Sequence, residues 1–369
     1  MTLKIPYLLA MASLLLGVMP ATAQVRGEYL ITNHGARGDG SFDNAPIIND
    51  LINRLSNNGG SIVIPHGDFR INSPVVIRKS HVTLRGLGRS SKLIVGAGVG
   101  DGILLPDEAP RISGIVIRDL HVAGSDWGLY QTGLKVDRAS DGIHIIGASF
   151  TGLSRAMFLR ATDAVQVSGC DVTQSQSSLF MAGGFMGLVT RNRFSGFSGG
   201  ITVELADLDR IEFSSNIISP DGFTALQLRN AHACNISGNS ITAWYTGAVE
   251  IDGNMNLISG NNITAVQVNG GWLPDPRGRD GLWGLVRIRG NDNSFTSSSI
   301  MSWQPENNIR VNVVSGERNT LRDLTIGAVG SNKKVNVNPA AAWTRITHCG
   351  WPQETALNGN STVRIHYDP

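Results

Sequence analysis

An apolar position recurs along this chain at a nearly constant interval. Ile145, Val167, Val189, Phe213, Ile236 and Ile258 follow one another by 22, 22, 24, 23 and 22 residues. A unit of that length forms one coil of a solenoid and buries its apolar face only by stacking on its neighbours. Three residues after each of these positions stand Ala148, Cys170, Asn192, Asn216, Asn239 and Asn261. A column of asparagines at turns fits a parallel β-helix, because stacked amides hydrogen-bond to one another and to the turn backbone from coil to coil. Leucine-rich repeats have a similar length but need a leucine and helix signature that is absent here. The expected fold is all-β, a right-handed parallel β-helix (solenoid) with an N-terminal capping helix.

Composition enters as a check. Gly 44, aromatic 6% and charged 16% suit many short strands joined by Gly, Asn and Ser turns. A formal charge of +2 without basic runs gives no electrostatic case for nucleic acid or for a polybasic membrane anchor. Lys4 precedes an apolar run from Tyr7 to Met19, and Ala21-Thr22-Ala23 has the small-x-small cleavage pattern. Residues 1–23 therefore read as a signal peptide, with a mature chain from Gln24 that is secreted or periplasmic and forms one β-helix domain over 24–369. The three cysteines, Cys170, Cys234 and Cys349, are too few for a disulfide framework. Cys170 stands in the turn column and reads as a packed thiol.

Ahead of the repeats, Ile47, Ile48, Leu51, Ile52 and Leu55 lie at helical spacing, with Asn44 placed as the cap and Pro46 in the first turn. The spacing predicts a helix over 44–57 that plugs the open end of the solenoid, where bare strand edges would otherwise invite pairing. Just before it, His34 to Gly40 forms a glycine-rich opening that lacks the ending and the strand-to-helix context of a phosphate loop.

One strand of each coil yields two outward columns when the coils are aligned without gaps. The first is Lys135, Phe158, Phe180, Thr202, Gln227, Glu250, Arg287; the second is Asp137, Arg160, Ala182, Glu204, Arg229, Asp252, Arg289. The intervening inward positions are wholly apolar, among them Leu179, Ile201, Val203, Leu226 and Leu228. In this alignment Glu204, Arg229 and Asp252 occupy consecutive rungs, leaving the two carboxylates about 9–10 Å apart, and Glu250 lies about 7 Å from Asp252 along one strand. Both separations permit paired-carboxylate glycosyl chemistry, in which one group protonates the leaving oxygen and the other acts as base or nucleophile. A solvated ladder of opposite charges accounts for Asp137/Arg160 and Asp252/Arg289 equally well without catalysis. Gln227, Arg229, Arg287 and Arg289 are the candidate substrate-binding residues beside these acids.

The period breaks once, at an inserted loop over 264–284 that follows the coil carrying Glu250 and Asp252. Long loops on a scaffold commonly serve binding. Trp272 and Trp283, with nearby Trp244, are positioned either to stack on sugar rings or to pack against a neighbouring subunit. His144, His232 and His348 have no second ligand at metal spacing, so neither a metal site nor a cofactor is assigned.

Residues 59–302, about two-thirds of the chain, resemble the inulin fructotransferase family of secreted β-helix enzymes. The resemblance lies in Gly60-Ser61-Ile62-Val63-Ile64-Pro65-His66-Gly67 and in residues 115–119, 199–216, 235–239 and 282–291. It implies a cofactor-free intramolecular fructosyl transfer that releases a cyclic disaccharide, and a homotrimer with active sites between subunits. Glu204 matches an acid of the family pattern. An ungapped match places the family's catalytic Asp and Glu on Asp163 and Gln174; Asp163 keeps its carboxylate, whereas Gln174 cannot transfer a proton as an acid would. The implied partner is an oligo- or polysaccharide, a fructan or a difructose anhydride. Two other readings stay open: a polygalacturonate-type lyase or hydrolase, for which the His34 to Gly40 opening speaks, and a non-catalytic glycan-binding β-helix, for which Gln174 speaks.

Overall fold

A computed structural model describes residues 27–108, 110–125, 130–197, 200–221, 224–244, 247–265, 283–302, 309–328, 335–349, 355–356 and 362–366. The signal peptide expected over 1–23 lies outside these residues, as does most of the inserted loop, including Trp272. The chain winds as a parallel β-solenoid, and the strands among the described residues collect into three long sheets of 14, 11 and 13 strands. The described rungs in these sheets pair parallel with the next, so residues stack on their counterparts one coil on, apart from local register shifts at Asp137/Ser140, Val172/Ser175 and Arg229/Ala231. The apolar anchors Ile145, Val167, Val189, Phe213, Ile236 and Ile258 fall in one column of the first sheet, each at most 1% exposed.

The asparagine column does what its spacing implies. The side-chain Nδ2 of Asn192 donates to Asn216 Oδ1 at 2.9 Å, Asn216 to Asn239 at 3.1 Å, and Asn239 to Asn261 at 2.9 Å. Each Oδ1 also accepts the backbone N–H of the preceding member, and each Nδ2 also reaches a carbonyl of the coil before. A second ladder, absent from the expectations, joins Asn256, Asn293 and Asn319 in the same way, with links of 3.0 and 3.1 Å. Cys170 fills the first ladder's earlier position, its backbone N–H donating to Asn192 Oδ1 and its thiol to the carbonyls of Ile145 and Ser168.

The helix spans Ala45–Arg54, shorter than the 44–57 predicted, because Leu55 turns to an extended conformation. Its apolar face, Ala45, Ile48, Leu51 and Ile52, is buried, and it packs on the strands Gly60–Val63 and Val75–Val76. Asn44 stands at the N-cap, as expected, and its carbonyl accepts the Ile48 N–H at 3.0 Å, but its side chain makes no capping bond. The Asn44 amide instead stitches together the backbone of Arg37, Phe42 and Arg70, while Asp43 Oδ1 accepts the Ala45 N–H at 3.2 Å. The glycine-rich opening is closed by Asp39, whose carboxylate accepts the N–H groups of Ser41 and Phe42 and is held down at about 2 by them, as well as by the Ser41 hydroxyl.

Asn239→Ala removes an acceptor that serves both the backbone and the amide of Asn216, leaving buried donors unmet, so it should destabilise the protein by about 1–3 kcal/mol in urea unfolding. Burial pushes the Cys170 thiol from 9.0 to about 12. The unfolded chain loses this proton as pH rises through about 9 while the folded chain keeps it to about 12, so this contribution to stability falls across that window. At pH 8 a thiol reagent should leave all three buried cysteines of the native protein unreacted and titrate them after denaturation.

Candidate active site

The third sheet carries the outward columns, on the strands Thr132–Asp141, Arg155–Asp163, Ser177–Phe185, Ile201–Asp209, Thr224–His232, Val249–Asn254 and Val286–Arg289. Their inward residues pack as predicted; Leu179, Leu226 and Leu228 are fully buried. The Ile201–Asp209 strand, however, is displaced by two residues from the ungapped alignment. Phe180 stacks on Glu204, and Glu204 on Gln227, so Val203 and Leu205 take the inward places assigned to Ile201 and Val203. The cause is the 24-residue coil between Val189 and Phe213, whose extra length precedes this strand. A shift of two keeps side-chain parity and moves each residue one position along its face.

The displacement changes which acids are neighbours. Glu204, Gln227, Glu250 and Arg287 now form one column on consecutive rungs, followed by Asn312 and Asn336. Arg229, Asp252 and Arg289 form the adjacent column behind Ala206. Glu204 and Glu250, and not Glu204 and Asp252, are therefore the acids two rungs apart in one column, about 9–10 Å between backbone positions. Gln227 bridges the rung between them, its Nε2 donating to Glu250 Oε2 at 3.2 Å. Arg229 crosses from its own column to Glu204, with Nε and Nη2 donating to Oε1 at 3.2 and 3.1 Å, and lies 3.6 Å from Asp207. Thr224, which no spacing singled out, donates to Glu250 Oε1 at 3.4 Å.

Gln227, Arg229, Glu250, Asp252, Arg287 and Arg289 line a concave site of about 170 Å³. Asp252 is exposed on its floor, and immediately after it Gly253 turns away at φ 154°, where a Cβ would strike the Ala231 carbonyl at 1.8 Å. Arg287 lies flat over Trp283, its guanidinium carbon 3.5 Å from the ring centroid, and the Trp283 carbonyl accepts from Asn312 Nδ2. Trp283 thus holds an arginine at the edge of the site, and one face of its ring is taken. Of the two charge pairs expected from the sequence, Asp137/Arg160 forms at 2.5 Å; none joins Asp252 to Arg289 among the described residues. Phe158 and Phe180, expected to be exposed, are half-buried because their rings stack on each other at 4.9 Å.

Asp163 and Gln174 lie elsewhere. Asp163 ends its strand five residues beyond Phe158, past a left-handed bend at Ala161. There its Oδ2 accepts from Arg111 at 2.6 Å and its Oδ1 accepts the Phe185 N–H at 3.1 Å. Arg111 also bonds Asp141, and the two carboxylates raise its pKa further. Gln174 is exposed at a left-handed position on the second sheet, in the Asp171–Ser175 strand. The loop expected over 264–284 begins later, since Thr264 and Ala265 still pair in the second sheet. Among the described residues no group of three or more His, Cys, Asp or Glu side chains is placed to hold a metal ion.

Residues 89–271 match the family described as periplasmic copper-binding protein (NosD). The DFA-I-forming inulin fructotransferase of Arthrobacter globiformis is 26% identical over 176 residues, covering 46% of this chain and 43% of that protein. The chain thus matches less than half the length of that curated relative, and the match supports the resemblance drawn from the motifs. The structure of DFA-IIIase from Arthrobacter chlorophenolicus A6 in complex with GF2 superposes with a TM-score of 0.84 over 93% of this chain and 99% of its own, at 18% identity. The A-module of the mannuronan C-5 epimerase AlgE4 from Azotobacter vinelandii gives 0.50 over 92% and 100%, at 12% identity. At these identities the structural likenesses establish the parallel β-solenoid.

Proposed function

We propose that this chain is an exported carbohydrate-active enzyme of the inulin fructotransferase type. Its substrate is a fructan or a difructose anhydride, and its reaction is intramolecular fructosyl transfer or the hydrolytic reversal of that transfer. The observation that carries the reading is the Glu204–Gln227–Glu250 column, two carboxyls separated by one amide rung. It lies on a scaffold that superposes almost end to end on a DFA-IIIase.

The chemistry follows from that spacing. Side-chain reach brings two carboxyls whose backbones are about 9–10 Å apart into the range at which one protonates a glycosidic oxygen and the other receives a proton from the attacking group. In the transfer reaction the attacking group is a hydroxyl of the neighbouring fructosyl unit. The anomeric carbon exchanges its bond to the leaving oxygen for one to that hydroxyl oxygen, and a cyclic disaccharide departs. In the reversal, water is the attacking group that opens the ring. Arg229, fixed on Glu204, and Arg287, laid on Trp283, are donors for sugar hydroxyls at either end of the site.

The coil is right-handed, the Ala45–Arg54 helix caps its N-terminal end, and the working unit is a homotrimer. In such an assembly Asp163, set apart from the Glu204–Gln227–Glu250 column, would face a neighbouring protomer. A second reading, cleavage of an acidic polysaccharide such as polygalacturonate, draws on the three arginines Arg229, Arg287 and Arg289 that line the site.

Product chromatography after incubation with inulin, levan, difructose anhydrides and polygalacturonate should show turnover of a fructose-based substrate. Turnover of polygalacturonate alone would transfer the assignment to the second reading. On the confirmed substrate, Glu204→Gln and Glu250→Gln should each lower kcat by on the order of 10²-fold or more with the melting temperature retained. Asp252→Asn, at the exposed floor, should act chiefly on KM. If Asp163→Asn alone abolished activity while the Glu204 and Glu250 variants stayed active, the third-sheet column would be a binding surface only.

A further inference from the structure

The last coils hold a second cleft, of about 500 Å³, lined by Glu317, Arg318, Thr320, Trp343, Arg345, Thr362 and Arg364. It faces outward from the first sheet, where Thr320, Arg345 and Arg364 follow one another on consecutive rungs. The candidate active site faces outward from the third sheet, so the two do not share a wall.

Its charges are unbalanced in a particular way. Arg318 is satisfied from within: it forks onto Asp292 with two bonds of 2.7 Å and reaches Glu317 at 2.9 Å. That leaves the nearby acids engaged. Arg345 and Arg364 are both exposed, sit about 4.8 Å apart as adjacent rungs, and make no ion pair among the described residues. Like charges directly opposite one another on neighbouring strands destabilise a sheet, so two uncompensated arginines in register form a standing site for an anion.

An aromatic ring stands beside them. Trp343 is 55% exposed, at a corner where the backbone takes φ 56°. Its backbone N–H donates to Thr362 Oγ1 at 2.9 Å, which ties the corner to the following coil. The same corner holds Ala233, Met255, Asp292 and Arg318 in earlier coils, so the fold fixes the left-handed backbone there but does not call for an indole. An exposed indole face, two forked cations and the hydroxyls of Thr320 and Thr362 together suit a sugar ring that carries an acidic group. The volume lies in the usual range for small-molecule sites.

We propose that this cleft is a non-catalytic binding site for an anionic saccharide, with Trp343 stacking on the sugar ring and Arg345 and Arg364 clasping its carboxylate or sulfate. The proposal is independent of the fructan reading.

Calorimetry on the full chain with trigalacturonate and with a sulfated trisaccharide would identify which acidic group is preferred. At least one should bind, more weakly as salt rises, and a neutral fructan trisaccharide should not displace it from this cleft. Arg345→Gln combined with Arg364→Gln, and separately Trp343→Ala, should each weaken binding roughly tenfold or more while turnover at the third-sheet site is unchanged. Binding equal to wild type in these variants, or loss through Arg287→Gln instead, would overturn the assignment. So would competition by inorganic phosphate as strong as by the saccharide, which would leave a simple anion site. Hydroxyl-radical footprinting of the wild-type protein gives a check that does not depend on the variants folding: the bound saccharide should protect Trp343, and an unprotected Trp343 would reject the site.

Discussion

Everything in this molecule depends on one coil hydrogen-bonding to the next in parallel register. Backbone bonds alone would fix the strands, but the corners between strands would leave polar groups stranded in the interior. The buried amides of Asn192, Asn216, Asn239 and Asn261 solve that problem with a single repeated side chain. The oxygens of Asn216, Asn239 and Asn261 each take two donors from the preceding coil, and the nitrogens of Asn192, Asn216 and Asn239 each give to an amide on one side and a carbonyl on the other. The spacing of asparagines along the ladder equals the spacing of rungs, so the corner is as regular as the sheets it joins.

Because the register is strict, surface chemistry is written in columns. A residue's neighbours outside the core are whatever stands one coil earlier and one coil later. The candidate active site follows from this: Glu204, Gln227, Glu250 and Arg287 come from four separate coils yet form a continuous line. Their backbones are held by rungs whose inner faces, Val203, Leu226, Val249 and Val286, are buried. Side chains built on such a surface move little relative to one another, which suits a pair of acids that must keep a fixed separation. The same rule places Arg345 beside Arg364 at the other end of the solenoid.

Most of this was legible in the sequence. The period gave the coils, the alternation gave the inside and outside of each strand, and six residues chosen from the outward columns do line one concavity. What the alignment missed, it missed for definite reasons. The 24-residue step was visible, but an ungapped alignment cannot say where in a coil two extra residues are absorbed. Placing them before the Ile201–Asp209 strand exchanges Asp252 for Glu250 as the partner of Glu204. Asn44 had the right identity and position for a helix cap; its amide was drawn away by three carbonyls that meet it only in the folded chain. The Arg287–Trp283 contact joins a rung to the residue that leads into it, and nothing in a period reports such a contact. Asp163 carried the family pattern but lies where Arg111, from 52 residues earlier in the chain, occupies it.

The regular stacking also governs the order in which the molecule can be assembled. Rung partners are separated by little more than one coil, for example Gln166 with Leu188, or Glu212 with Asn235. A chain of 369 residues therefore makes its contacts at the sequence separation of a much smaller domain, and each new coil closes a loop of nearly the same length. The first coils, with the Ala45–Arg54 helix packed on them, present a finished strand edge before the later ones exist. Growth can then proceed as templated addition, one coil at a time from the N-terminal end, and the most exposed intermediate is never more than the open end of one coil, an unpaired edge of each sheet.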